Sequence, residues 1–458
     1  MVRLLAEVVR RKRKKGVRKI KNFECETLSI KVRIKGPARK SYRIPGGIRG
    51  KTFTIERTFL RDWTIKKGDY IILNQDESRR CIEALGKGVE ERKWKDFIKK
   101  DIDGDGYYEI VFNNPFIKAV ISPHYGARLW QLWNKGTENN ELYGGSFFQD
   151  KGYIELGGIE ETLSQQGKPD ELWNGFFKSE RCKEKNVISF YYKMKKEREL
   201  VVRKRFMFYK EFPGLLETIN FTFKPEKEKG KKKKGKKKKK KSIKLTQRIF
   251  FAMGGIPDYN NLYWIPTKDE LNYVRFNKPL FKRGWDGDIW WDWTHLHFSP
   301  DPGLIILERE GSDDVLLLFF NRDDIDFVWT GDKKRTPRLY IFYKENKIEA
   351  KKGKEYKTLF ATANRFSFRK KEILFASRGK IKGDYVPLSF IYYTKRKKKN
   401  QSIAISRGGD IEICEMKKFD KPGIPGSFFY FTTVENKDSK EVSGTLKGKD
   451  LRVRLRLE

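Results

Sequence analysis

Apolar and polar residues alternate along most of the chain with the two-residue period of β-strands. Near the N-terminus, the segments 28–36, 51–59 and 69–75 follow this period and are separated by turns that contain glycine. Similar segments recur every 8 to 15 residues or so up to residue 366. The longest uninterrupted apolar stretches, such as Val315–Phe320, have the length of a strand. The pattern predicts a mainly β protein with very few amphipathic helices.

The spacing of turns and charged stretches predicts several units along the chain. A large antiparallel β-sandwich is the simplest interpretation of the longest stretch, and a smaller β-domain is expected on either side of it. The predicted units are a basic N-terminal segment (1–23), a small β-domain (24–82), a partly helical linker (83–100), the sandwich (101–366) and a C-terminal β-domain (370–458).

Length and composition agree with several folded domains. The chain has 458 residues, of which 38% are hydrophobic and 14% aromatic, which is too apolar for a disordered protein. No stretch reaches the roughly 18 uncharged apolar residues that cross a bilayer, so no membrane span is expected. The first residues have their basic cluster after a short apolar stretch, the reverse of a signal peptide, and the compartment is left open.

The chain is strongly basic, with 102 Lys and Arg against 61 Asp and Glu, a net charge of +41. Such an excess favours polyanionic partners, whether nucleic acid, acidic glycan or anionic lipid. A charged fraction of 36% with few His and Cys is also typical of a heat-adapted protein, although that explains the positive sign poorly. The four cysteines form no CxxC pair and indicate no zinc or redox site.

Twelve lysines fall within Glu226–Lys241, between two strand-like segments. This lysine tract is predicted to be a solvated hairpin insertion, since lysines repel one another and cannot pack a core. It contains no aromatic residue, so contact with nucleic acid would be directed at phosphates and indifferent to sequence. An acidic polysaccharide or an acidic neighbouring subunit is an equally open partner.

An Asp- and Gly-rich loop precedes the first strands of the predicted sandwich. Alternate aspartates, a tight glycine turn and a closing glutamate are ligands that suit calcium, because Ca²⁺ accepts many oxygens. The spacing departs from that of an EF-hand, and it resembles calcium loops of extracellular β-proteins. The alternative is an Asp-Gly turn whose carboxylates accept hydrogen bonds from their own backbone. The predicted calcium ligands are Asp101, Asp103, Asp105, Tyr107 and Glu109.

Three segments in order resemble galactose-mutarotase-like (aldose-epimerase-like) sandwiches, over about residues 100–366. The first is the turn carried by Ser122, Pro123, Gly126, Ala127, Arg128 and Leu129. The second is Gly157, Gly158, Ile159 and Glu160, and the third is the closing segment 348–366. The resemblance implies a fold that handles carbohydrates.

Members of this family that isomerise sugars use a histidine as acid and a glutamate as base. The resemblance therefore makes His124, His295, His297, Glu160 and Glu161 the catalytic candidates. The family's Asn-His-x-Tyr-Phe turn is absent, and its late catalytic glutamate has no clear counterpart here. Both departures leave epimerase activity open, beside sugar binding or a different carbohydrate reaction.

A tryptophan-rich strand is the second candidate for sugar contact. Alternation places His295 and His297 on one strand face with Trp291 and Trp293. A core strand with packed tryptophans is the competing interpretation, and a metal bound by the two histidines is a third. The substrate-binding candidates are Arg128, Trp173, Asn174, Trp291, Asp292 and Trp293.

The leading hypothesis is carbohydrate binding or processing by the sandwich, with a calcium loop and no organic cofactor. A cell-surface or extracellular structural protein that uses the sandwich as a scaffold is the first alternative, since fold does not fix function. A polyanion-binding or nucleic-acid-binding protein is the second. Enzyme activity and homo-oligomerisation are left open.

Overall fold

The structure is a computed structural model, and it describes most of the chain with gaps. Among the described residues, no helix is long and apolar enough to span a membrane. The described ranges are 5–13, 23–32, 52–60, 70–72, 92–94, 96–102, 108–142, 147–149, 153–155, 157–163, 170–173, 175–180, 182–194, 200–223, 240–250, 261–266, 271–276, 296–298, 303–309, 312–333, 336–349, 352–381, 383–420, 422–437 and 439–457.

The first sheet has four antiparallel strands in the order β3-β2-β1-β4. They are β1 (Leu5–Arg13), β2 (Phe23–Val32), β3 (Thr52–Leu60) and β4 (Tyr70–Ile72). Strand β1 lies within residues 1–23, which the sequence predicted to be a separate basic segment. Because β1 pairs with both β2 and β4, it is an inner strand, and the small β-domain begins before residue 24.

The next strands form the sandwich. They are β5 (Arg92–Trp94), β6 (Phe97–Lys100), β7 (Glu109–Asn113), β8 (Ile117–Ser122), β9 (Arg128–Asn134), β10 (Asn139–Asn140), β11 (Phe147–Gln149), β12 (Tyr153–Glu155), β13 (Ile159–Thr162), β14 (Lys178–Glu180), β15 (Val187–Lys193), β16 (Leu200–Phe208), β17 (Gly214–Phe223), β18 (Lys240–Ile243), β19 (Thr246–Phe250), β20 (Asn261–Pro266), β21 (Leu271–Phe276), β22 (Leu296–Phe298), β23 (Leu304–Arg309), β24 (Val315–Phe320), β25 (Ile325–Lys333), β26 (Thr336–Tyr343), β27 (Asn346–Glu349) and β28 (Gly353–Ala363). A short 3-10 turn, Arg322–Asp324, precedes β25.

Three antiparallel sheets enclose the main core of the sandwich. A six-stranded sheet has the order β10-β9-β8-β7-β6-β5, a five-stranded sheet β13-β19-β26-β25-β22, and a nine-stranded sheet β14-β15-β16-β17-β28-β24-β23-β20-β21. Strands β11 and β12 pair with each other, as do β18 and β27. Apolar side chains from all three large sheets meet in one cluster, so the prediction of a mainly β sandwich is confirmed.

The apolar strand β24 is buried on both faces because the nine-stranded sheet is covered on both sides. Leu316 and Leu318 point into the main core, whereas Leu317 and Phe319 point to a second core shared with the C-terminal domain. A continuous apolar run is the pattern expected of a strand with no solvent face.

The C-terminal domain is an eight-stranded antiparallel sheet in the order β29-β30-β31-β34-β33-β32-β35-β36. Its own core lies on the other side from the core that it shares with the sandwich. The strands are β29 (Arg365–Arg369), β30 (Glu372–Arg378), β31 (Val386–Thr394), β32 (Gln401–Arg407), β33 (Asp410–Phe419), β34 (Phe428–Asn436), β35 (Glu441–Leu446) and β36 (Arg452–Arg456).

Two local predictions differ from the structure. The segment 83–100 was expected to be a partly helical linker, but its described part contains β5 and β6, and β6 pairs with β7 of the sandwich. The lysine tract was expected at a hairpin tip, but β17 pairs with β16 and β28, whereas β18 pairs with β27. The tract therefore connects two sheets, because strand order is set by packing across the sandwich and not by succession in sequence.

Candidate functional site

A group of polar side chains lies inside the otherwise apolar core of the sandwich. Lys204 of β16 donates a hydrogen bond to the carboxylate of Glu161 on β13, and both side chains are buried. Glu217 of β17 accepts a hydrogen bond from the amide of Gln247 on β19, with Nε2 and Oε2 3.0 Å apart. The nine-stranded and five-stranded sheets thus meet through polar contacts at this level of the core, which we call the core network.

A tyrosine completes the core network. The Tyr343 hydroxyl donates to Gln247 Oε1 at 2.6 Å, and it lies 3.2 Å from the Thr358 hydroxyl. Burial raises the pKa of Glu217 well above its usual range, and the nearby Glu161 charge raises it further. Glu217 therefore keeps its proton to a higher pH than a free carboxyl group does, and in that form it adds no unpaired charge to the core.

The proton on Glu217 also explains how two buried carboxylate oxygens are satisfied. Glu161 Oε1 and Glu217 Oε1 are both buried, and among the described residues neither accepts a conventional hydrogen bond from another group. A proton carried by Glu217 and directed at Glu161 satisfies both, and such a contact contributes to the raised pKa of Glu217. The core network is consequently a closed set with one ion pair and one neutral acid.

Arg128, predicted to bind substrate, is buried at the start of β9. Its guanidinium pairs with Glu160, a predicted catalytic base, and it also donates to three backbone carbonyls. These acceptors are Tyr125 O at 2.7 Å, Gly157 O at 3.1 Å and Trp173 O at 2.7 Å. Arg128 thus ties the turn at 122–129 to the segment Gly157–Glu160 and to the segment that contains Trp173.

A second acidic group lies beside the same turn. Glu109 of β7 is fully buried, with Oε1 3.6 Å from His124 Nε2 and 3.4 Å from the Ser122 hydroxyl that donates to it. Its Oε2 accepts the Ile102 backbone N–H at 3.0 Å. Burial raises the pKa of Glu109 to about 8, and the nearby Asp101 charge contributes to the rise. Glu109 and His124 form a close acid and base pair, the type of pair that transfers protons.

Aromatic rings lie next to this pair. The His124 ring stacks on the Phe176 ring with 5.8 Å between centroids, and Tyr125 meets His124 edge to face at 6.2 Å. Two backbone hydrogen bonds join the turn at 123–126 to the segment 175–177. They run from Gly126 N to Gly175 O at 2.9 Å and from Phe177 N to Pro123 O at 3.0 Å. Tyr125 and Phe176 are half-buried, so part of each residue is accessible to solvent.

A glycine is required where the two segments approach. Gly126 has a φ of +76°, and a Cβ there would lie 2.6 Å from the carbonyl oxygen of Leu172. A residue with a side chain would push the segments apart.

We call the surface formed by Tyr125, Phe176 and the His124 and Glu109 pair the aromatic rim.

The remaining predicted site residues divide into three groups. Trp173 is buried, so its ring packs in the protein interior. Residue His297 is in β22 opposite Trp329 of β25, and its side chain is outside the described part of the structure. The predicted site residues that lie wholly outside the described residues are Asn174, Trp291, Asp292, Trp293, His295, Asp103, Asp105 and Tyr107.

The predicted calcium loop is described only at its ends. Asp101 lies close enough to Glu109 for their charges to interact. Each oxygen of Glu109 already accepts a hydrogen bond from the protein, from the Ile102 N–H and from the Ser122 hydroxyl. Within the described residues, no group of three or more His, Cys, Asp or Glu side chains has the geometry of a metal site.

Sequence reasoning missed most of the core network. Lys204 and Glu217 were not singled out, although each occupies a core position in a regularly alternating strand. A charged residue in the apolar phase of an alternation is a usable signal, because a buried charge requires a partner. The signal does not identify that partner, which lies on another sheet.

No protein-family model matches the chain, and no curated protein matches it. Solved structures with a similar fold include a galactose mutarotase related enzyme from Lactobacillus acidophilus, with 13% identity, 56% of this chain and 97% of that chain covered, and a TM-score of 0.38. A galactose mutarotase-like protein from Lactobacillus casei has 13% identity, coverage of 56% and 99%, and a TM-score of 0.39.

A galactose mutarotase-like protein from Clostridium acetobutylicum has 9% identity, coverage of 60% and 98%, and a TM-score of 0.37. The resemblance to galactose-mutarotase-like sandwiches that the sequence predicted is therefore also found by comparison with solved structures. At this identity the likeness concerns the fold alone, and TM-scores of this size support no statement about activity.

Proposed function

We propose that the sandwich binds a carbohydrate at the aromatic rim. The observation that carries the proposal is the meeting of two half-buried rings, Tyr125 and Phe176, with the buried His124 and Glu109 pair. Binding sites for small molecules combine aromatic surface with a few fixed polar groups. Aromatic rings can pack their faces on the C–H groups of a sugar, and the histidine and carboxyl groups suit its hydroxyls.

The geometry favours binding over epimerisation by the predicted glutamates. Glu160 is engaged by Arg128 and Glu161 by Lys204, and all four side chains are buried. A base must lie within hydrogen-bond reach of the proton that it takes. His124 stacks on the half-buried Phe176 and lies 3.6 Å from Glu109, so any proton transfer on a sugar at the aromatic rim would depend on His124.

Sugar binding is tested by saturation-transfer NMR against a panel of neutral and acidic oligosaccharides. Phe176→Ala and Tyr125→Ala should each weaken the signal of a bound sugar at least about 5-fold, as expected for the loss of an aromatic anchor. Tyr385→Ala is the matched control, because Tyr385 is an exposed ring in the C-terminal domain. Equal signals from all three variants would refute the rim as the sugar site.

Catalysis is tested separately by following mutarotation of reducing sugars by polarimetry. If the Glu109 and His124 pair acts on the sugar, His124→Asn should abolish any acceleration while the melting temperature changes little. No acceleration by the unaltered protein would exclude mutarotase activity on the sugars tested and leave the binding proposal in place.

We also propose that the loop beginning at Asp101 binds calcium. The support is the sequence pattern of alternate aspartates and the closeness of Asp101 to Glu109, whose carboxyls a cation would stabilise. Terbium luminescence, sensitised by the nearby Tyr108, should show saturable binding that Asp101→Asn weakens. Asp410→Asn, an exposed aspartate of the C-terminal domain, is the control. Identical titrations for both variants would argue against the site.

The shared core favours a second candidate, a structural protein that uses the sandwich as a rigid unit. Phe319 of β24 packs against Phe375, Tyr393 and Phe429 of the C-terminal domain, with centroids 5.0 to 6.0 Å apart. A joined core of this kind suits a load-bearing unit. Sedimentation over a concentration series should then show ordered assembly, whereas a monomer at every concentration would count against this candidate.

A further inference from the structure

A cleft of about 660 Å³ opens at one end of the C-terminal domain, where two hairpin turns and one longer connection converge. The turn between β29 and β30, the segment that follows β31, and the turn between β35 and β36 form its walls. This cleft is separate from the aromatic rim and from the lysine tract. Its lining residues are Arg369, Lys370, Lys371, Glu372, Thr394, Lys395, Arg396, Lys398, Gly448 and Lys449.

The lining carries a high density of positive charge. Seven of the ten residues are Lys or Arg and one is Glu, which leaves a local charge of +6. Ordinary protein surfaces intersperse both signs, because like charges held together repel one another. A concave surface also concentrates the field of its charges, so this cleft attracts anions more strongly than a flat surface with the same residues.

The acidic residue in the lining holds one lysine in place. Glu372 accepts hydrogen bonds from Lys449 and from the Tyr392 hydroxyl, the latter at 2.8 Å. Lys449 Nζ also lies 2.9 Å from the Tyr392 hydroxyl and 5.3 Å from the centre of its ring. The carboxylate is thus engaged within the protein, and Lys449 is fixed at the wall of the cleft.

The other cations remain accessible. Arg369, Lys370 and Arg396 are exposed, and Lys371 and Lys398 are half-buried. The nearest carboxylate oxygen to Arg369 is that of Asp450, at 4.0 Å and almost fully exposed, which is a weak pair. Seven cations in the lining against one carboxylate therefore leave an excess of positive charge at this surface.

We propose that this cleft binds a segment of an acidic polysaccharide through its carboxylate or sulfate groups. The volume lies within the range of about 300–1,000 Å³ for ligand pockets, enough for a few sugar units. Five of the seven cations are lysines, which act as point charges and tolerate varied positions of the anionic groups. Such tolerance suits a flexible, narrow chain with repeated negative charges.

Nucleic acid fits the cleft less well. None of the ten described lining residues is aromatic, so the cleft offers no ring on which the bases of a single strand can stack. Proteins read duplexes with elements that protrude into a groove, whereas this surface is concave. The proposal concerns the C-terminal domain and does not depend on sugar binding at the aromatic rim of the sandwich.

The test uses the full chain and measures fluorescence anisotropy with a labelled heparin oligosaccharide and a labelled polyuronate oligomer. Changing Lys371, Lys395 and Lys398 together to glutamine should weaken binding at least about 10-fold and reduce its dependence on salt, because fewer counterions are released. A control that changes the exposed Lys344, Lys347 and Lys440 to glutamine removes the same charge outside the cleft and should lose less than about 2-fold.

A single-site variant and two phosphate-containing ligands distinguish this site from general charge attraction. Arg396→Gln changes a fourth cation of the lining, at an exposed position, and should weaken binding less than the triple variant does, without affecting the melting temperature. Equal losses in the triple variant and its control would show that total charge alone binds polyanions, and would overturn the proposal. Tighter binding of duplex DNA or of inorganic polyphosphate, lost in the same triple variant, would also overturn it by assigning the cleft to phosphate.

Discussion

Replacing Glu217 with glutamine should change how the stability of the protein depends on pH. Glu217 lies in the core network with its pKa raised well above 4.5, first by burial and then by the charge of Glu161. Glutamine has the same shape, and its amide can donate to Glu161 as the protonated acid does. The variant therefore keeps the contacts and removes only the titration.

The sign follows from proton binding in the two states. In the unfolded chain Glu217 loses its proton near pH 4.5, whereas in the folded protein it keeps the proton to a higher pH. Between these two pKa values the folded state binds one more proton, so the free energy of unfolding falls as the pH rises. The slope for one group is about 1.4 kcal/mol per pH unit.

The assay is urea unfolding followed by tryptophan fluorescence at about pH 5, 6, 7 and 8. The variant should gain about 1.4 kcal/mol relative to the unaltered protein for each pH unit within that window.

Comparison with the unaltered protein isolates Glu217, although other buried acids titrate in the same direction. The raised pKa values of Glu109, about 8, and of Glu141 also lower the free energy of unfolding of the protein as the pH rises. Their contribution is common to both proteins and cancels in the difference. Glu435→Gln, at an exposed position, should give a curve parallel to that of the unaltered protein. If the Glu217→Gln variant also gave a curve parallel to that of the unaltered protein, the conclusion that Glu217 is a buried neutral acid would be refuted.

Three further predictions concern other parts of the molecule. Lys204→Met should cost about 3–5 kcal/mol in urea unfolding at neutral pH, because it leaves Glu161 buried without its partner, and adding Glu161→Gln should recover part of the loss. Gly158→Ala should lower stability by more than about 1 kcal/mol in thermal melting, since its φ is +72° and a Cβ would lie 2.5 Å from Leu129 O. Replacing residues 226–239 with a Gly-Ser loop should reduce retention on heparin, and unchanged retention across a salt series would exclude the lysine tract as an anion-binding element.

Alternation was a reliable guide to the secondary structure because it is a local property. Strand β16 shows it in full, with every second residue from Leu200 to Phe208 buried, and the apolar run of β24 lies in a sheet covered on both faces. The sequence alone therefore determined the mainly β class of the protein. A two-residue period specifies which side chains share a face.

The same period does not specify which strands become neighbours, and this was decided by the tertiary structure. Lys204 and Glu217 come from adjacent strands of one sheet and meet Glu161 from another, because a buried charge must find its partner across the core. Likewise, the basic cleft exists because two hairpin turns and the segment after β31, which are separated in sequence, converge at one end of a sheet. Strand order and sheet packing depend on the whole core, which no local pattern encodes.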